Sequence, residues 1–256
     1  MDLRLTFNEV PSDYDKWRPT YVPELYEDIL AYINITPESR LLEVGIGTGQ
    51  ATLPFLKMGC HVTAVELGGD LAAFTKNKFS AYENLEIFNT AFEDFACSDN
   101  SFDLAYSASA FHWIPEEMGY SKIFRLLKSG GVFARFANHP YRENSPMHRA
   151  IQGVYEKYFP VPNFPPQRYN AEMAEQNASI GIKYGFSDIQ SRVYHRMRMF
   201  NAEDYAVLMG TMSDHRALGT ERLAALQSDI ETAINSFGGM IEIQDTLDLQ
   251  LMRKVK

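Results

Sequence analysis

Short apolar runs alternate with amphipathic stretches over the first half of the chain. In the segment 23–33 the apolar residues fall on one face of a helix. From Arg40 onward, five runs have the length and composition of buried strands, and helical patterns lie among them at 51–58, 70–82 and 116–128. The runs are LLEV, HVTAVEL, LEIFNTA, SFDLAYSAS and GVFARFA. This alternation predicts βαβ units in a parallel sheet, that is, an α/β fold of the Rossmann-like, doubly wound type.

The last part of the chain has a different pattern. Two long, partly alternating segments, IQSRVYHRMRM and IEIQDTLDLQLMRKV, are separated by helical patterns at about 201–212 and 220–236. Alternation of this kind is typical of strands in which one face is more polar than the other. We expect these segments to close the edge of the sheet, one of them antiparallel.

Between GVFARFA and this tail lies a stretch, about 139–185, with helical patterns on either side of FPVPNFPP. Four prolines in eight residues break both helix and strand. We therefore expect a helical lid or substrate insertion at 139–185. It divides a ligand-binding core at 1–138 from C-terminal sheet-closing strands and helices of the same domain at 186–256.

Length and composition limit the cellular setting. The 256 residues, 45% of them hydrophobic, suit one large domain with an insertion. The opening MDLRLTFNEV lacks the pattern of a secretory signal, and no run approaches the roughly 18 apolar residues of a membrane span. Cys60 and Cys97 have no C-x-x-C spacing, and the histidines show no close pairing. We expect a cytoplasmic protein without a membrane partner or a metal site.

The strongest local signal is LLEVGIGTG, residues 41–49, where a strand passes through glycines into a helical pattern. Such glycines let the backbone turn tightly against a nucleotide-like ligand. The spacing is G-x-G-x-G, and Gln50 stands in place of the third glycine of the dinucleotide fingerprint. Glu43 adds an acid that suits a cationic sulfonium better than a pyrophosphate. These features favour S-adenosylmethionine over NAD, and a plain tight turn is the remaining alternative.

The next two strands end in further candidate ligand residues. Glu66 and Leu67 follow the glycines by about 20 residues, where an acid can accept from both ribose hydroxyls. The alternative for Glu66 is a helix-capping acid. The third strand ends at TAFEDF, where Phe92 could cover adenine and Glu93 could accept from its amino group. Ordinary loop residues are the alternative at these positions.

The ordered set E-V-G-I-G-T-G, Glu66, A-F-E-D-F, N-S-F-D-L and A-F-H-W resembles the class I S-adenosylmethionine-dependent methyltransferases. The opening Tyr14-Asp15-x-x-Arg18-Pro19-x-Tyr21 is similar to the small-molecule branch that includes trans-aconitate methyltransferases. The resemblance covers residues from about 7 to 137 and is weaker from there to the end of the chain. The motifs are specific for cofactor and fold, and they leave the acceptor open.

The resemblance implies a seven-stranded sheet with the last strand antiparallel and S-adenosylhomocysteine as the product. It implies that the glycines line the methionine moiety, that Glu66 binds ribose, and that an N-terminal helix covers the cofactor. One departure is Ala91, where many relatives have Asp; the adenine contact then falls to Glu93 or the backbone. The predicted cofactor site comprises Tyr14, Arg18, Glu43, Gly45, Gly47, Gly49, Gln50, Glu66, Leu67, Phe92, Glu93 and Ser107.

The strand Phe102–Ala108, which includes Ser107, leads into Phe111, His112 and Trp113 at the edge where doubly wound folds bind ligands. We expect these three residues in the acceptor pocket. His112 is the candidate catalytic residue because imidazole titrates near neutral pH; a structural role is the alternative. Phe111 and Trp113 are either pocket walls or core.

The distribution of charge along the chain gives information about the methyl acceptor. The net charge of −9 argues against a nucleic-acid partner. Residues 135–200 nevertheless carry 9 Lys and Arg against 5 Asp and Glu, a net charge of +4. The cations of this basic block that we single out are Arg135, Arg142, Arg149, Lys157, Arg168, Arg192, Arg196 and Arg198. The basic block suggests an anionic acceptor such as a carboxylate, with a solvated face as the alternative.

Other functions remain as alternatives. The N-P-P-Y type motif of base-amine methyltransferases is replaced by SASAFHW, and the similar Asn163-Phe164-Pro165-Pro166 lies in the predicted lid. An NAD(P)-dependent oxidoreductase and a non-catalytic S-adenosylmethionine-binding protein are the two rival functions. The sequence allows either a monomer or a homodimer.

Overall fold

A computed structural model describes residues 3–141, 143–159 and 167–255. Seven strands form one sheet in the order β3-β2-β1-β4-β5-β7-β6. They are β1 (Arg40–Val44), β2 (His61–Glu66), β3 (Leu85–Asn89), β4 (Phe102–Ala108), β5 (Leu127–Tyr141), β6 (Phe186–Asn201) and β7 (Met240–Lys254). The first five pair in parallel, and the last strand is antiparallel. The predicted α/β fold is confirmed.

Helices lie between the strands at the places that the hydrophobic periodicity predicts. They are α1 (Pro11–Trp17), α2 (Pro23–Tyr32), α3 (Leu53–Lys57), α4 (Gly69–Lys78), α5 (Glu116–Leu126), α6 (Pro146–Tyr158), α7 (Ala171–Ser179), α8 (Ala202–Gly210), α9 (Ser213–Arg216) and α10 (Thr220–Asn235). Short 3-10 helices occupy Leu3–Glu9, Phe111–Trp113 and Ile180–Tyr184. In α5, for example, Tyr120, Ile123 and Leu126 are buried at helical spacing and cover one face of the sheet.

The chain divides into two compact units. Unit 1 comprises residues 1–18, 139–169 and 195–246, and its core joins α6, α8 and α10 through residues such as Ile151, Tyr205 and Ile230. Unit 2 comprises residues 19–138, 170–194 and 247–256. Unit 2 contains β1 to β4 with apolar clusters on both faces, as doubly wound packing requires.

The predicted lid segment is described in part. Helices α6 and α7 lie on either side of the proline-rich stretch, but residues 160–166, with Asn163-Phe164-Pro165-Pro166, lie outside the described residues, as does Arg142. The lid and its boundaries at 138 and 185 stay predictions. No helix among the described residues is long and apolar enough to span a membrane.

Candidate active site

The glycine loop leaves β1 in a backbone conformation that favours glycine. Gly45, Gly47 and Gly49 all have positive φ, at 76°, 55° and 81°. A Cβ built on Gly45 would lie 2.5 Å from the Cβ of Ala110, and one on Gly49 would lie 2.2 Å from the Phe79 ring. The loop is therefore closely packed against the segment after β4 and against the end of α4, and side chains at these positions would displace both.

Polar contacts hold the glycine loop in this shape. The hydroxyl of Thr75 on α4 donates to the Gly47 carbonyl at 2.6 Å, and Lys78 Nζ donates to the Thr48 carbonyl at 3.0 Å. Gln50, which is half-buried, donates from Nε2 to the Thr48 hydroxyl at 2.6 Å. Sequence reasoning missed Thr75 and Lys78, since the contacts span about 30 residues and no short motif connects them.

Glu66 at the end of β2 is bonded to the glycine loop. Its two carboxylate oxygens accept the N–H groups of Gly47 and Gly68, each at 2.8 Å. The side chain is buried, which raises its pKa despite these hydrogen bonds. Each oxygen of a carboxylate can accept a second hydrogen bond, so the group keeps acceptor capacity for a diol. Leu67 follows, half-buried, and its carbonyl accepts from Asn89 at 3.0 Å.

Glu43 lies beneath the glycine loop. It is buried, and one of its oxygens accepts hydrogen bonds from the Thr52 hydroxyl at 2.7 Å and the Tyr106 hydroxyl at 2.8 Å. Burial raises the pKa of Glu43 to about 8, although the two hydroxyl donors oppose the shift. Glu43 is thus mainly a neutral acid at pH 7, whereas the sequence suggested an ionised carboxylate.

The segment after β3 is fixed by a lysine from α5. Lys122 Nζ donates to the carbonyls of Phe92 at 2.6 Å and Glu93 at 3.0 Å, and it lies 5.0 Å from the centre of the Phe92 ring. Phe92 is buried in the core, and Glu93 is half-buried. Lys122 was absent from the sequence-predicted site, because a half-buried lysine on a helix has no signal of its own.

The carboxyl edge of β4 carries the predicted acceptor residues. Ser107 is buried and donates to the Val44 carbonyl at 2.8 Å, which ties β4 to β1 just before the glycine loop. Phe111 packs in the core, Trp113 is half-buried, and His112 is exposed. The rings of His112 and Trp113 lie 5.1 Å apart. The structure therefore brings an imidazole and an indole together at this edge, with Phe111 beneath them.

Residues 42–135, which run from β1 through Arg135 on β5, match the family model of a methyltransferase domain. The chain contains a class I S-adenosylmethionine-dependent methyltransferase domain. Its cofactor is S-adenosylmethionine.

Relatives of the methyltransferase domain extend the similarity beyond the matched residues. An uncharacterised methyltransferase of Schizosaccharomyces pombe is 25% identical over 233 residues, which cover 90% of this chain and 88% of that protein. A malonyl-(acyl-carrier protein) O-methyltransferase of Paenibacillus is 29% identical over 163 residues, covering 59% of this chain and 56% of that protein. The fold is similar to a solved structure assigned as a type II methyltransferase from Anaeromyxobacter dehalogenans, with a TM-score of 0.64, 18% identity, and coverage of 93% and 98%.

The residues of the methyltransferase domain fit its cofactor. The loop has three glycines with positive φ, and the Glu66 carboxylate lies beside it with acceptor capacity to spare. Because Glu43 is buried with neutral hydroxyl partners, ionising it would supply a negative charge close to a bound cation.

Tyr14 and Arg18 belong to unit 1. Arg18 donates to the Thr211 hydroxyl at 3.1 Å and to its carbonyl at 2.8 Å. Its guanidinium carbon lies 4.9 Å from the centre of the Tyr14 ring and 5.6 Å from that of Phe7. These contacts hold the N-terminal segment within unit 1, and the predicted role of Tyr14 and Arg18 as a cofactor cover stays a prediction.

The second tyrosine of the same opening motif lies in unit 2. The Tyr21 hydroxyl is 2.9 Å from that of Ser109, which also accepts the N–H of Asn138 at 3.2 Å. Ser109 itself has a positive φ of 54°. Tyr21 thus braces the turn that follows β4, a contact that the motif alone did not predict.

The basic block contributes residues to both units. In unit 1, Arg196 and Arg198 both pair with the buried Asp245, and Lys157 pairs with Asp229. Arg149, Arg168 and Arg192 are exposed. Arg135 lies in unit 2, on β5 opposite Ser107 of β4. Three of the described cations of the basic block therefore have acidic partners.

Proposed function

We propose that this protein transfers the methyl group of S-adenosylmethionine to a small-molecule acceptor that carries a carboxylate or another anion. The observation that carries the proposal is the pairing of the Glu66 carboxylate with the glycine loop, next to a β4 edge that presents His112 and Trp113. Bound S-adenosylmethionine supplies an electrophilic methyl group. The chain has to hold the acceptor in line with that group and keep water away.

Cofactor binding is assigned to the carboxyl ends of β1 to β4. We place the methionine moiety on Gly45, Gly47, Gly49 and Gln50, with Glu43 and Ser107 beneath the loop. The ribose hydroxyls donate to Glu66, next to Leu67. Adenine lies along Phe92 and Glu93, in a segment that Lys122 fixes through two carbonyls.

The acceptor binds beside Phe111, His112 and Trp113. An ionised carboxylate needs no general base, because it is already deprotonated at neutral pH. His112 is exposed and would hold the acceptor or take a proton from a hydroxyl acceptor. The malonyl relative supports an anionic acceptor, because a malonyl group ends in a free carboxylate.

An acceptor screen tests the proposal. The purified protein is incubated with radiolabelled S-adenosylmethionine and either a panel of small carboxylic acids or a panel of neutral phenols. We expect methyl incorporation into members of the acid panel, and loss of it in Gly47→Arg, which blocks the glycine loop. Exclusive turnover of the phenols would contradict the anionic acceptor. S-adenosylmethionine binding without turnover on either panel would favour the non-catalytic alternative.

A further inference from the structure

Arg135 lies on β5, beside the carboxyl end of β4 that leads to the predicted acceptor residues. On β5 it is opposite Ser107 in the parallel register with β4, one residue before the pair Ala108 and Phe136. Alternation along β5 places Arg135 on the same face as the buried Phe133, which contacts the Phe111 ring. Its side chain therefore extends toward the turn of Phe111–Trp113.

The contacts of the Arg135 guanidinium are few. It donates from one terminal nitrogen to the Tyr120 hydroxyl at 3.0 Å, and its central carbon lies 5.7 Å from the centre of the Phe111 ring. No carboxylate among the described residues lies within ion-pair distance of it. The charge of Arg135 helps to lower the pKa of the exposed Glu116, but that carboxylate accepts its hydrogen bonds from Tyr184 and Lys183.

This arrangement is unusual for a half-buried arginine. A guanidinium stays charged at all ordinary pH values and offers five N–H donors in a planar fork. Removing such a charge from water without a partner is costly, so partly buried arginines are usually paired. Among the described cations of the basic block, Arg196, Arg198 and Lys157 have acidic partners, and the rest apart from Arg135 are exposed.

We propose that Arg135 binds a carboxylate of the methyl acceptor. The planar fork matches a carboxylate bidentately, and the Phe111 ring supports the flat face of the guanidinium. The Tyr120 hydroxyl fixes the orientation of the guanidinium from the side of α5. This inference rests on the proposed function, and it makes Arg135 the specificity-determining residue for small carboxylic acids.

The test separates anion recognition from cofactor binding. Each protein is first saturated with S-adenosylhomocysteine, and its affinity for that ligand is recorded. Ligand-observed NMR titrations then compare benzoate with its neutral analogue benzamide, and malonate with malonamide. The variants are Arg135→Gln, Arg135→Lys and Tyr120→Phe. Arg192→Gln is the matched control, because it removes the charge of an exposed arginine in the same unit.

We expect the wild-type protein to bind at least one of the two anions roughly tenfold more tightly than its amide, the range of a charge-assisted hydrogen bond. Arg135→Gln abolishes this preference, Arg135→Lys and Tyr120→Phe keep part of it, and Arg192→Gln retains it. If Arg135→Gln misfolds and no longer binds S-adenosylhomocysteine, Arg135→Lys tests the inference in its place. Arg135→Lys should then lose part of the anion preference that Arg192→Gln retains.

Two results would overturn the inference. One is a wild-type protein that does not distinguish either anion from its amide. The other is a preference that persists in both Arg135 variants. Failure of the wild-type protein to bind S-adenosylhomocysteine at all would contradict the proposed function instead, so the two failures are distinguishable.

Discussion

Glu43 illustrates, at the residue scale, how burial changes chemistry that the sequence alone suggests. The sequence places an acid two residues before the first glycine of the loop, and ionisation at pH 7 is the ordinary expectation. Tertiary contacts with Thr52 and Tyr106 surround it with neutral donors and exclude water. The identity of the residue could be predicted from the motif, but its protonation state could not.

The raised pKa of Glu43 predicts a specific pH dependence of stability. The folded protein holds the Glu43 proton up to about pH 8, whereas the unfolded chain releases it near the ordinary glutamate pKa of about 4.3. Between these values the folded state binds more protons, so its free energy of unfolding falls as pH rises, by up to about 1.4 kcal/mol per pH unit from this group. Above about pH 8 this contribution levels off.

Glu43→Gln should remove that contribution, because an amide does not titrate and its oxygen can accept from both hydroxyls. Urea unfolding of the wild-type protein and the variant at pH 6, 7 and 8 measures the effect. We expect the stability of the variant relative to the wild type to increase steadily over this range. A difference that is independent of pH would show that Glu43 is ionised in the folded protein.

At the scale of elements, the strands and helices of the core could be predicted because their signals are local. The run LLEV is apolar and short, and TERLAALQSDIETAIN has helical periodicity, so each element follows from a few adjacent residues. The contacts that complete the site are not local. Thr75 bonds to Gly47 and Lys122 bonds to Phe92 and Glu93 over about 30 residues, and only the folded sheet brings them together.

The junction between the glycine loop and the turn after β4 gives a prediction at this scale. Gly45→Ala combines an unfavourable positive φ with a Cβ only 2.5 Å from that of Ala110. We expect the free energy of unfolding to fall by about 2–4 kcal/mol, with weaker cofactor binding, because strain and overpacking add. Gly130→Ala is the control, since Gly130 also has positive φ but nothing lies within 4 Å of its added Cβ.

Gly130→Ala should lower the free energy of unfolding only by the backbone strain, about 1–2 kcal/mol, and leave cofactor affinity unchanged. Chemical denaturation and calorimetric titration of both variants provide the comparison. Equal losses of stability would mean that the close approach of Gly45 to Ala110 does not matter energetically.

At the scale of the whole molecule, the sheet order and the antiparallel last strand agree with the fold that the family resemblance implies. The grouping of distant segments could not be predicted. Unit 1 assembles residues 1–18, 139–169 and 195–246, and β5, β6 and β7 each contribute residues to both units. Periodicity assigns elements one after another, whereas such groups depend on which distant apolar faces cover each other.

Calorimetric titration is the most direct test of the central claim that the glycine loop and Glu66 bind S-adenosylmethionine. The wild-type protein is titrated with S-adenosylmethionine, S-adenosylhomocysteine and NADH, and the titrations are repeated with Glu66→Ala and with Glu86→Ala, an exposed acid on β3. We expect saturable binding of both adenosyl ligands, about tenfold or more weakened in Glu66→Ala and unchanged in Glu86→Ala. Binding of NADH alone, or equal affinity in the Glu66 variant, would contradict the account.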